Sequence, residues 1–166
     1  MVAESEHMTP RFPLVSGGIL KGEAMLRIVE PRLRIHEVPL ENVQLVNSCV
    51  TVELDDESEN RWRLRFVFAT LRLTTMDCAN ATAIMAEMDG DICYPDGRDP
   101  DAWSRWVRFL LEKTDSPLVP QANANLRKYD HDERDLHHYV MAVGDNLWEI
   151  VSEPVEITKI VKSEKE

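Results

Sequence analysis

The sequence predicts an α+β domain, a mainly antiparallel β-sheet with two helices packed on one face. Three observations lead there. Arg61 to Phe68 alternates strictly, with Trp62, Leu64, Phe66 and Phe68 on one side and Arg61, Arg63 and Arg65 on the other. Such alternation marks a strand with one buried face. Trp103, Trp106, Val107 and Leu110 fall at i, i+3, i+4 and i+7, the stripe of an amphipathic helix. Finally, 166 residues with 43% hydrophobic and 30% charged side chains suit one folded domain with a proper core.

Residues 1–18 read as a loose leader, because Pro10, Pro13 and Gly17-Gly18 break any pattern. Glu23–Val29 and Arg32–Val38 alternate as strands, interrupted by Pro31 and closed by Pro39. Val43–Leu54 is rich in β-branched residues and reads as the first arm of a hairpin. The polar turn 55–60 follows, and Arg61–Phe68 is the second arm. Leu71 and Leu73 have the opposite parity to Trp62, which a bulge near Ala69-Thr70 would explain.

Asp77 is a suitable N-cap for a short helix over 78–88. Asp99 and Pro100 suit the start of the second helix, over 100–112. Residues 117–135 read as a long polar connection. His138–Val143, Gly144-Asp145-Asn146 and Leu147–Val151 read as a hairpin, with helix as the alternative for 136–152. Glu156–Val161 is a last strand, and residues 162–166 are a charged tail. No repeat or internal boundary divides residues 19–161, so they are expected to form one domain.

The net charge is −11 and unevenly spread. Residues 1–75 hold 9 basic and 11 acidic side chains, while residues 76–166 hold 10 and 19. Direct nucleic-acid binding is disfavoured, because phosphate neutralisation needs clustered Lys and Arg. No stretch approaches the length of a membrane span, and the acidic N-terminus lacks the apolar core of a secretory signal. The expectation is a cytoplasmic protein. Cys49, Cys78 and Cys93 form no framework, so they are read as reduced thiols.

Nucleophile, phosphate-loop and dinucleotide motifs are absent, and no cofactor is expected. Four groups of residues remain as candidates. His131, His137 and His138, beside Asp130, Asp132, Glu133 and Asp135, are of the types that ligate divalent metals. Their spacing matches no established site. The loop from Asp89 to Asp101 is rich in oxygen donors, but Cys93 and Tyr94 stand where a calcium loop needs a ligand and a glycine. Arg61, Arg63 and Arg65, continued by Arg72, form a stripe able to hold carboxylates or phosphates or to pair with acids near Glu53. Trp103 and Trp106 are read as core.

The leading functional expectation is an acidic binding or inhibitory protein for a basic partner, such as an immunity protein or antitoxin covering a toxin. Asp89, Asp91, Asp96, Asp130, Asp132 and Glu133 are its expected contact surface. The alternative is a small anion-, lipid- or peptide-binding sheet module using Arg61, Arg63, Arg65 and Arg72. A metal-dependent hydrolase on His131, His137 and His138 comes third. Oligomeric state is not legible in the sequence.

Overall fold

The computed structural model describes residues 26–76, 92–93 and 106–161. The expected leader, the tail and the helix over 78–88 lie outside these residues.

Among the described residues, ten strands form two sheets. They are β1 (Leu26–Ile28), β2 (Ile35–Val46), β3 (Cys49–Asp56), β4 (Arg61–Val67), β5 (Thr70–Thr75), β6 (Ile92–Cys93), β7 (Leu111–Lys113), β8 (His137–Val143), β9 (Asn146–Ser152) and β10 (Glu156–Ile160). One sheet has the order β5-β9-β8-β7-β1-β6, the other β10-β4-β3-β2. All pairings are antiparallel except that of β1 with β6.

The α+β expectation is therefore corrected. The layer opposite the Trp62 face is a second sheet, not a pair of helices. Val50, Val52, Leu54, Trp62, Leu64 and Phe66 of one sheet share a core with Tyr139, Met141, Val143, Trp148 and Ile150 of the other. Two sheets with inward-facing alternate residues make a sandwich. The outer face of the six-stranded sheet carries a second core of Leu26, Ile28, Phe109, Leu111, Val140, Ala142 and Leu147.

The helix expected over 100–112 is also overturned where it is described. Trp106–Arg108 is a single 3-10 turn, and Leu111–Lys113 is β7. The run Phe109-Leu110-Leu111 is a chain buried on both sides. Leu110 enters the inter-sheet core and Leu111 the second core, the alternation of a strand. Trp103 lies outside the described residues.

Instead a helix stands where a connection was expected. α1 spans Leu118–Lys128 and packs on β8 and β9. Asp130, at φ 58°, turns the chain out of it, while the amides of Tyr129 and His131 both donate to Leu126 O. A left-handed residue just past the last turn is a common helix stop. Asn123 is buried and fixes the following segment, accepting from Arg134 N and donating to Arg134 O, both at 3.0 Å.

Two smaller corrections concern turns. Val43–Leu54 is not one arm, since Asn47 and Ser48 are both left-handed and reverse the chain between β2 and β3. Pro39 does not close its strand but lies within β2, an outer strand with register shifts on both sides of Leu40. Outer strands and bulges are where proline is tolerated. The hairpins β3–β4 and β8–β9 form as the sequence predicts, with Gly144 (φ 56°) in the second turn.

The parity change after Phe68 is a change of sheet, not a bulge within one strand. Phe68 is left-handed (φ 51°) and delivers the chain from β4 in one sheet to β5 in the other. The return crossover, from β9 to β10, passes beside it, where Glu153 N donates to Val67 O at 3.0 Å. Arg134 holds this corner. Its guanidinium lies 3.4 Å from the centre of the Phe68 ring and 2.7 Å from Glu153 Oε1. Phe68, expected in the core with Trp62, is 45% exposed and lies under this guanidinium.

Candidate functional site

The arginine stripe is built as read but matched within the fold. Antiparallel pairing sets Asp55 opposite Arg61, Glu53 opposite Arg63 and Glu156 opposite Arg65. Each guanidinium meets its carboxylate, at 2.9, 2.7 and 3.0 Å. Arg72 belongs to the other sheet and does not continue the stripe; it faces Glu149 at 3.7 Å. Exposed ion pairs contribute little, because water solvates both partners well when separated. Arg63→Ala is expected to change unfolding free energy by no more than about 1 kcal/mol in a urea titration.

The acidic surface is seen in part. Asp89, Asp91 and Asp96 lie outside the described residues. Asp130, Asp132 and Glu133 are exposed just after α1, with Glu133 paired to Arg127 at 3.2 Å.

The three histidines do not converge. His131 is in the exposed loop, and His137 and His138 are consecutive on β8, so they point to opposite faces. Among the described residues no three His, Cys, Asp or Glu side chains are placed to hold a metal ion.

Each β8 histidine instead joins its own polar chain. On the inter-sheet face, His137 Nδ1 is 2.5 Å from Glu112 Oε1, and Glu112 also binds Arg27. Burial would raise the Glu112 carboxyl, but His137 and Arg27 outweigh it and hold it below its ordinary value. Burial likewise opposes charge on His137, yet Glu112 and then Asp135 hold its pKa above the ordinary value.

On the outer face, Ser116 Oγ is 2.7 Å from His138 Nδ1, and His138 Nε2 is 3.5 Å from Glu149 Oε1. That last contact is within ion-pair range but is not a formed hydrogen bond. His138 is only 2% exposed, and its Nε2 has no hydrogen-bond partner among the described residues. Ser116 Oγ also accepts from Leu118 N at 3.2 Å, so it links the start of α1 to the His138 ring.

A serine, a histidine and a carboxylate stand in series, and Ser116 and His138 line a cavity of about 460 Å³ beside the start of α1. Ser116 is buried. The start of α1 offers no amide pair for a developing oxyanion. Pro117 and Pro120 have no N–H, Leu118 N is engaged by Ser116 Oγ, and Val119 N donates to Ser116 O. The series ties α1 to the sheet and supports Glu149 from behind.

Glu149 opens onto a groove of about 440 Å³ between α1 and the outer face of β5 and β9. Leu118, Gln121, Ala122, Asn125, Leu126 and Tyr129 form one wall. Thr70, Arg72, Glu149 and Val151 form the floor, and Ser48 and Phe68 lie on the sheet-switch side. The Glu149 side chain is 20% exposed and Arg72 is 69% exposed. His138, opposed by burial and helped by Arg72 and Lys113, holds the Glu149 carboxyl below its ordinary value. The floor thus carries a fixed anion beside an arginine that extends into solvent.

Of these groove residues the sequence had singled out only Arg72. Gln121 and Asn125 were hidden by reading 117–135 as a connection. Glu149 follows from the hairpin register, which sets it opposite Val140 on the same face as His138.

No helix among the described residues is long and apolar enough to cross a membrane. No family model matches the chain, and neither a curated protein nor a solved structure shows significant similarity to it.

Proposed function

We propose that this is a binding protein that takes a basic protein partner in the groove between α1 and β5/β9. The observation that carries the reading is the groove itself, mostly apolar with a fixed carboxylate, Glu149, in its floor. Concave, largely apolar sites with a few placed polar groups are the usual form of a binding site. The net charge of −11 attracts a basic partner at long range, and Glu149 gives that partner a local anchor. An inhibitor that covers a basic toxin is the concrete form of this reading. Asp130, Asp132 and Glu133, which follow the Tyr129 end of the groove, extend the acidic surface beside it.

The test is a comparison of wild type with Ala122→Trp, which fills the groove from the helix wall. Each is immobilised at low salt and exposed to extract of the source cells. Expected is a stoichiometric basic protein retained by wild type and lost on Ala122→Trp, with an association rate that drops about tenfold or more as salt screens the charges. Equal retention by both proteins, at matched thermal stability, would remove the groove from the function.

A further inference from the structure

We propose, resting on the groove reading above, that the bound segment is an extended peptide of about five residues, apolar along its length and bearing a lysine or arginine that pairs with Glu149.

The groove wall is one face of α1, in the order i, i+3, i+4, i+7, i+8 and i+11 from Leu118 to Tyr129. Eleven helical residues span about 16 Å, which about five residues of extended chain would fill.

Two features select a peptide backbone over a purely apolar chain. Gln121 and Asn125 lie one helical turn apart on the groove wall, about 6 Å along the axis. Alternate residues of an extended peptide repeat every 6.6 Å or so, close enough for both carboxamides to meet successive backbone groups on one edge. Each carboxamide offers a donor and an acceptor, as a peptide unit does. Ser48 and Thr70 add hydroxyl groups elsewhere around the groove. Between these polar positions the lining is aliphatic or aromatic, with Leu118, Ala122, Leu126, Tyr129 and Val151 available to alternate side chains.

Charge selects the basic residue. Glu149 is mostly buried and backed by His138, whereas Arg72 is 3.7 Å away and largely in solvent. An incoming cation can take the place of Arg72 while the carboxylate stays fixed. A peptide acid would meet Glu149 and the −11 field of the whole chain.

The experiment selects random octapeptides displayed on phage against the full chain, then measures the enriched sequence as a labelled synthetic peptide by fluorescence anisotropy. The expected enrichment is apolar residues at alternate positions with at least one Lys or Arg. Glu149→Gln and the double substitution Gln121→Ala/Asn125→Ala should each weaken binding about tenfold. N-methylation of alternate backbone amides in the peptide should abolish it. No enrichment, enrichment of acidic residues, or indifference to backbone methylation overturns the proposal. If the enriched peptide loses binding to Ala122→Trp but ignores Glu149→Gln and methylation, the groove reading stands and this one falls. If it binds Ala122→Trp as well as wild type, both fall. Circular dichroism and the melting temperature of each variant separate lost binding from lost folding.

Discussion

Asp56→Ala is expected to destabilise the protein by about 3 kcal/mol, measured by urea unfolding followed through tryptophan fluorescence. Asp56 is 4% exposed at the β3–β4 turn. Its Oδ1 accepts from Ser58 N at 2.8 Å, Asn60 N at 2.9 Å and Asn60 Nδ2 at 3.1 Å. Its Oδ2 accepts from the indole Nε1 of the buried Trp62 at 2.8 Å. Alanine removes the acceptor and leaves these donors behind, the indole in a place water does not reach. Donors to a charged acceptor are among the stronger hydrogen bonds, and orphaning them adds their desolvation cost. The sign of the pH dependence follows. Burial alone would raise this carboxyl, but the indole, Asn60 and Ser58 outweigh it and hold the pKa below 3.8. Its stabilisation is present above the unfolded value and lost as pH falls through the lower folded value. Wild type should therefore lose stability below about pH 4 more steeply than Asp56→Asn. Parallel acid limbs in the two proteins would contradict this account of the turn.

Glu112→Gln is expected to cost about 2 kcal/mol at pH 6 and less at pH 9, where the Arg27 pair remains but the His137 pair does not. Glu112 is buried between Arg27 and His137. Glu112 and Asp135 hold the His137 pKa above its ordinary value, which favours the ionised pair on the acid side. A raised histidine pKa contributes stability that is fully present below the unfolded value and disappears as pH rises through the folded one. Wild type should thus lose stability from about pH 6.5 upward, while Glu112→Gln stays nearly flat over that range. A double-mutant cycle with His137→Ala isolates the coupling. Zero coupling at pH 6 would show that His137 and Glu112 do not act as a pair.

The strand content was legible because it rests on side-chain period. Arg61–Phe68 and His138–Val151 have one-faced alternation or β-branched runs flanking polar turns, and both hairpins form. The partner layer was not legible. Alternation says that the Trp62 face is buried but not what buries it, and the residues that do so lie on β8 and β9, far along the chain. The 100–112 stripe misled because helical spacing did not report that Leu110 and Leu111, the segment's last apolar residues, enter different cores as a strand does. α1 was missed for its prolines and asparagines. Pro120 is the third helical residue, where the amide lies among the first four that have no partner within the helix. Asn123 is compensated by the Arg134 backbone, a tertiary contact that no local propensity reports. The groove was illegible for the same reason, since its wall is α1 and its anion is the single charged residue of β9.

The corner at Phe68 has a kinetic side. Hairpins such as β3–β4 and β8–β9 close short loops and can form early. The corner brings Val67 and Phe68 together with Arg134 and Glu153, from distant parts of the chain, and cannot be completed until both crossovers are in place. Closing long loops before their contacts repay the entropy is what slows β-rich topologies, with folding times of order milliseconds to seconds. Arg134 therefore belongs to the last-formed part of the molecule. Its loss should accelerate unfolding and leave the folding rate nearly unchanged, the kinetic signature of a latch rather than a nucleus.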